Sequence, residues 1–153
     1  MGSVPEGWTR ISSSLTYDNA SEAIDFLCKA FGFEVRLRVD VPGGKVAHSE
    51  LVVDGGMVMV GDKVGDDGNK KEGRDWSITP KQAGGCTQAL MMFVDDLDAH
   101  LTRARAAGAT IASEPKVSDY GDDYWIDRSY EAIDIGGHHW WFCQRLATKG
   151  KKA

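Results

Sequence analysis

The chain has 153 residues, 42% hydrophobic and 27% charged, and its 18 basic against 23 acidic side chains leave a net charge of -5. That length suits one domain of roughly 100–200 residues, and the acidic balance repels phosphate backbones and anionic lipid, so neither nucleic acid nor a membrane is an expected partner. The longest apolar run, Ala89 to Val94, falls far short of the about 20 residues that cross a bilayer.

Met1 to Trp8 has neither the basic start nor the apolar stretch of a secretory signal, so the expected compartment is the cytoplasm. Arg10 to Tyr17 reads as a short strand. Asn19 and Glu22 then form a capping box, and Ala20, Ala23, Ile24, Leu27, Ala30 and Phe31 recur at helical spacing up to Gly32. Strands are expected at Glu34 to Val41, at Lys45 to Val53 and, across a Gly55-Gly56 turn, at Met57 to Val60.

Asp62 to Gly85 is glycine-rich and charged, with Pro80 and no clear period, which marks a linker or lid. Trp76 within it either anchors the loop to the body or touches a ligand. Ala89 to Val94 is the next strand, followed by Asp95 and Asp96 as a cap and by Leu97, Leu101 and Ala104 at helical spacing up to Gly108. Thr110 to Ser113 reads as a strand and Asp119 to Asp127 as an acidic, aromatic insertion. A hairpin from Arg128 to Ile135 and from His138 to Cys143 turns at Gly136-Gly137. Lys149, Lys151 and Lys152 form a basic tail, read as a solvated, frayed terminus.

The chain therefore repeats itself in the order β, α, β, β, β. The fold class is α+β, with modules at 9–61 and 87–146, a linker at 62–86 and the tail at 147–153. One module of about 70 residues buries too little surface to be comfortable alone, so the two are expected to share a core. Cys28, Cys86 and Cys143 form no C-x-x-C pair, and reduced thiols are expected.

His48 and Glu50 stand two apart on one strand and so share a sheet face, opposite Leu51 and Val53. Leu51 and Val53 suit the helix-packed side, which leaves His48 and Glu50 on the concave side. Glu131 occupies the repeat-equivalent position of Glu50. These carboxylates read either as structural ion pairs with Arg36 or Arg128, or as the orienting partner of a general base, His48. In the last strand His138, Trp140 and Phe142 alternate with His139, Trp141 and Cys143; one face packs on helices and the other lines the cleft. Tyr120, Tyr124, Trp125, Tyr130 and Trp140 are densely gathered. With the nearby aspartates they suit a planar or cationic ligand, or else a solvated loop anchored by one or two rings. With Trp76, Arg128 and His138 they complete the candidate ligand-binding set.

Four segments taken in order carry a family resemblance. They are Ala23 to Leu27 with Ala30 to Phe33, Ala47 to Leu51, Val94 to Ala99 with Ala106 to Ala109, and Asp134 to Gly137 with His138 and Trp140. The chain resembles the vicinal oxygen chelate superfamily of glyoxalase, bleomycin resistance proteins and extradiol dioxygenases, and looks most like its PhnB-like subgroup. The resemblance implies two curved mixed sheets around a cleft, with helices outside, and a homodimer. Metal-dependent members of that superfamily place ligands on the first and last strands of each half. The corresponding positions here are Ser12, Val60, Ala89 and Trp141, or Gly61 and Gln88 after a slip of one, so no metal or other cofactor is expected. The resemblance thus implies a metal-free protein that binds an aromatic or cationic small molecule, as antibiotic-resistance members do. The alternatives are a lyase, isomerase or dioxygenase using His48 and Glu50, with a displaced metal site or none, and a regulatory dimer without a ligand.

Overall fold

The computed structural model describes residues 2–64 and 73–150, and within them the βαβββ unit occurs twice. The first copy comprises β1 (Ser13–Tyr17), α1 (Ala20–Phe31), β2 (Glu34–Val41), β3 (Lys45–Val53) and β4 (Gly56–Asp62). A one-turn helix, α2 (Pro80–Ala83), leads into β5 (Leu90–Phe93), α3 (Leu97–Ala106), β6 (Thr110–Asp119), β7 (Trp125–Ile133) and β8 (His139–Thr148). The copies build two four-stranded sheets of matching order, β1-β4-β3-β2 and β5-β8-β7-β6. In each, the first strand runs parallel to the last and the other pairs are antiparallel.

Local chemistry explains the helices. The Asn19 side chain accepts the Glu22 N–H at 3.1 Å, and Gly32 closes α1 in the left-handed region at φ 81°, which glycine adopts without a Cβ penalty. Between these caps every buried residue of α1 is apolar: Ala20, Ala23, Ile24, Phe26, Leu27, Ala30 and Phe31. Asp96 caps α3 in the same way, its carboxylate accepting the Ala99 N–H at 2.9 Å.

The helices join the two copies. Phe31, at the end of α1, packs its ring 4.7 Å from Phe142 and 5.3 Å from Trp140 on β8. Leu15, Tyr17, Leu51, Val58 and Val60 of the first copy belong to the same buried cluster as Leu97, Tyr130, Trp140 and Phe142 of the second. Burying each such side chain contributes about 1.5–3 kcal/mol.

Asp134 ties the copies by hydrogen bonds. It accepts from Tyr17 Oη at 2.6 Å, Trp140 Nε1 at 2.9 Å, Gly136 N at 2.9 Å and His138 N at 3.0 Å. The Tyr17 ring lies so close to Gly136 that a Cβ there would come within 2.3 Å of it, so glycine is required by the close approach.

Several boundaries differ from those expected. β6 runs on to Asp119, well past Ser113, although it contains Pro115. It is an edge strand, where a missing N–H is tolerated, and its pairing with β7 shifts register between Ser113 and Lys116. β8 continues past Cys143 to Thr148, and β1 begins at Ser13. Inside the linker, Thr79 and Gln82 form a reciprocal capping box with Pro80 in the first turn, so that proline starts a helical turn. Residues 65–72 of the linker lie outside the described residues, as do Lys151 and Lys152. Lys149 is not frayed: its Nζ reaches both carboxylate oxygens of Asp119 at 2.7 Å.

Candidate functional site on the open sheet faces

Each sheet covers the shared core with one face and leaves the other to solvent. On the first sheet, Ser49 and Leu51 turn inward, while His48 and Glu50 lie on the opposite face, where Glu50 is only 3% exposed beneath its partners. Glu50 stands level with Leu37 on β2 and Met59 on β4, and His48 level with Val39. His48 Nε2 is 3.0 Å from Glu50 Oε1, and the Arg36 guanidinium pairs with Glu50 Oε2. The hydrogen bond from His48, reinforced by Arg36, holds the Glu50 carboxyl below the usual carboxylate range against the opposing effect of burial. The His48 imidazole is half-exposed.

The open face of the second sheet is aromatic. Met91 is 62% exposed, Phe93 50% and Trp141 37%. Met91 and Trp141 are register partners on β5 and β8, and Trp141 is level with Glu131 on β7. Glu131 Oε1 lies 2.5 Å from His139 Nδ1. Each open face thus carries a histidine–carboxylate pair, built on repeat-equivalent glutamates. At the far end, Arg145 lies over the rings of Phe93 at 5.3 Å and Trp125 at 4.7 Å. Asp127 holds the same guanidinium, with Oδ1 2.5 Å from Nε.

The sequence candidates divide into groups. His48 and Glu50 meet on the first open face. Tyr120, Tyr124 and Trp125 form a ring cluster at the β6–β7 loop, with Trp125 centred 5.9 Å from Tyr120 and 5.7 Å from Tyr124. Arg128 lies on the helix side, in a two-pronged pair with Asp98 on α3 at 2.8 Å. Tyr130 is fully buried there and its hydroxyl meets His100 Nδ1 at 2.7 Å. His138 sits at the junction of the copies, with Nε2 donating to the Thr16 carbonyl at 3.0 Å. Trp140 is 1% exposed and packs inward. Trp76 is exposed and donates to the Gly73 carbonyl of its own loop at 3.1 Å.

Trp141, Phe93, Met91 and the His139–Glu131 pair are absent from the ligand-binding candidates that the sequence offers. The reason is one residue of turn. The first hairpin closes Val53 on Gly56 around Asp54-Gly55, whereas the second closes Ile133 on His139 around a longer turn. In a strand, one residue of slip exchanges the faces, so Trp141 rather than Trp140 stands beside Glu131. Pairing parity counted from Glu131 would have found it.

A cavity of about 360 Å³ lies beside Glu131 and His139, bordered by residues 86–89, and two larger ones lie nearby. One of about 410 Å³ lies on the first open face, between the β2–β3 turn, Ser14 and Thr16 of β1, the end of β4 and the loop at Arg74 and Ser77. Ser77 Oγ is 2.9 Å from Thr16 Oγ1, which fixes that loop as a wall. The other, about 520 Å³, is a crevice between the copies, lined by Phe33, Met57, Met92 and Trp140 with Asp54 and Asp95. Among the described residues no three His, Cys, Asp or Glu side chains converge as a metal site. No helix among them is long and apolar enough to cross a membrane. Cys28, Cys86 and Cys143 are free thiols.

Comparison with known proteins fits this geometry. The model of the Glyoxalase/Bleomycin resistance protein/Dioxygenase superfamily matches residues 10–142. The uncharacterized proteins Rv0887c of Mycobacterium tuberculosis and Mb0911c of Mycobacterium bovis are each 38% identical over 130 residues, which is 85% of this chain and 71% and 79% of theirs. TioX from Micromonospora sp. ML1 superposes with a TM-score of 0.65 at 28% identity, over 91% of this chain and 100% of that one. A glyoxalase/bleomycin resistance protein/dioxygenase family enzyme from Burkholderia phytofirmans PsJN has a TM-score of 0.65 at 16% identity, over 88% of this chain and 97% of that one. At that identity the likeness is one of fold alone.

Proposed function

The chain belongs to the Glyoxalase/Bleomycin resistance protein/Dioxygenase superfamily, and from that membership we propose that it is a metal-independent protein that binds a planar aromatic small molecule on its open sheet faces. The observation that carries this reading is the exposed row of Met91, Phe93 and Trp141 beside the Glu131–His139 pair. Binding sites commonly combine such an apolar and aromatic surface with a few placed polar groups, and the neighbouring charges are already paired, which favours an aromatic over a cationic ligand.

The positions that would supply a divalent ion in metal-dependent relatives do not fit one. Val60 is 1% exposed and turned inward, and alanine at 89 and tryptophan at 141 offer no hard oxygen or imidazole donor. No chemistry through a metal is assigned. The half-exposed Leu37, Val39, Met91 and Phe93 leave apolar surface on the two open faces, and such patches commonly mark interaction sites when they are large. A second copy of the chain closing over these faces accounts for it, and places the ligand between them.

One observation supports a second reading. His48 is held by Glu50 and is half-exposed, as an oriented general base would be. A metal-free isomerase or lyase would use it. The binding reading is tested by thermal stabilisation against antibiotics and aromatic metabolites, with Trp141→Ala and Trp125→Ala as controls. Stabilisation lost in Trp141→Ala supports the placement. A stabilising compound indifferent to both substitutions overturns it. Turnover abolished in His48→Gln would favour the second reading.

A further inference from the structure

We infer that the cavity on the first open face is an oxyanion subsite, which takes a carboxylate or phosphate group of the bound small molecule. This rests on the reading of the open faces as a ligand surface and adds the charge of the ligand to it.

The lining carries the argument. Among the described residues the lining carries Lys45, Lys63 and Arg74 with Ser14, Thr16 and Ser77, and one acid, Asp62. Asp62 is already committed: Oδ1 accepts the Ala20 N–H at 3.0 Å and Oδ2 the Val46 N–H at 2.8 Å, and Lys45 stands 3.7 Å away. Lys63 pairs with Asp18, outside the cavity, at 3.0 Å. Arg74 makes no ion pair with the described residues, and its guanidinium offers a planar fork suited to two oxygens at once.

Cations thus outnumber acids among the described lining residues, in a chain whose net charge is -5. Val41, Pro42 and Val46 form the apolar part of the wall. The loop that brings Arg74 to the cavity is tied to β1 through Ser77 and Thr16. A charge-assisted hydrogen bond from Arg74 is roughly twice as strong as a neutral one.

The test is a comparison of naphthoate, its neutral amide and naphthylmethylammonium by calorimetric titration of the full chain, with inorganic phosphate as a fourth probe. Naphthoate should bind about tenfold tighter than naphthamide, a difference of about 1.4 kcal/mol. Arg74→Ala should erase the preference, Arg74→Lys should retain part of it, and added salt should weaken it. Arg74 is exposed, so its replacement leaves folding intact. Equal binding of naphthoate and naphthamide, or tighter binding of the ammonium compound, overturns the oxyanion subsite while leaving the aromatic reading standing. Failure of every probe, phosphate included, overturns both.

Discussion

Tyr17 on β1 donates a 2.6 Å hydrogen bond to Oδ2 of Asp134, 117 residues further along the chain. The same oxygen accepts from Trp140 Nε1, so one buried carboxylate links a strand of the first copy to the hairpin of the second. Burial first, and the Asp134 charge second, push the Tyr17 phenol well above its ordinary pKa, which keeps it a donor throughout the physiological range.

Tyr17→Phe should therefore lower stability by about 1.5–3 kcal/mol, the range for a hydrogen bond to a charged group. Gly136→Ala should cost at least as much, because its Cβ would meet the Tyr17 ring. Urea denaturation of the two variants checks both expectations. Wild-type stability in either would show that the junction does not hold the copies together.

His100 makes stability depend on pH. Its Nε2 lies 3.4 Å from the Phe31 carbonyl, which can only accept, so Nε2 carries a proton, and in the neutral imidazole Nδ1 accepts from the Tyr130 hydroxyl. Burial, and then Arg103, lower its pKa from 6.5 to about 4. The unfolded chain takes up a proton near pH 6.5 that the folded chain refuses until about pH 4. Stability should fall as pH drops through that window. His100→Phe should be less stable at neutral pH and flatter across the window. The Glu50 and Asp98 carboxyls, both held low, lose their contributions below their ordinary pKa values. Denaturation midpoints at several pH values separate these effects, and a wild-type curve flat through the window would contradict the burial of a neutral His100.

Adjacent tryptophans should behave oppositely. Trp140→Ala removes a buried ring and its hydrogen bond to Asp134 and should cost about 3–5 kcal/mol. Trp141→Ala removes a partly exposed ring and should change the melting temperature little while weakening ligand binding. Melting curves with and without naphthoate check the contrast.

Protein purified without a histidine tag should contain no stoichiometric divalent metal, and chelator should leave ligand binding unchanged. Stoichiometric nickel, zinc, iron or manganese, removed together with binding, would contradict metal independence.

The fold was largely legible because its signals are local. Asn19 and Gly32 bracket α1, Asp96 opens α3, and paired glycines mark both hairpins. The long β6 was not legible, since Pro115 and a polar alternation argue against a strand until a neighbouring strand supplies pairing. At the site, His48 and Glu50 were readable from strand alternation and one helix-facing leucine. The aromatic half was not, because the extra turn residue before His139 exchanges the faces of β8. Arg128 and Tyr130 were drawn toward the cleft by their neighbours in sequence, whereas α3 claims both through Asp98 and His100.

The five tryptophans each contribute one indole N–H signal to an amide correlation spectrum, and this makes the placement of the ligand directly readable. On saturation with naphthoate, the Trp141 indole signal should move while that of Trp140, shielded in the core and lining the crevice between the copies, stays in place. Movement of Trp140 with Trp141 stationary would put the ligand in the crevice and contradict the open-face site.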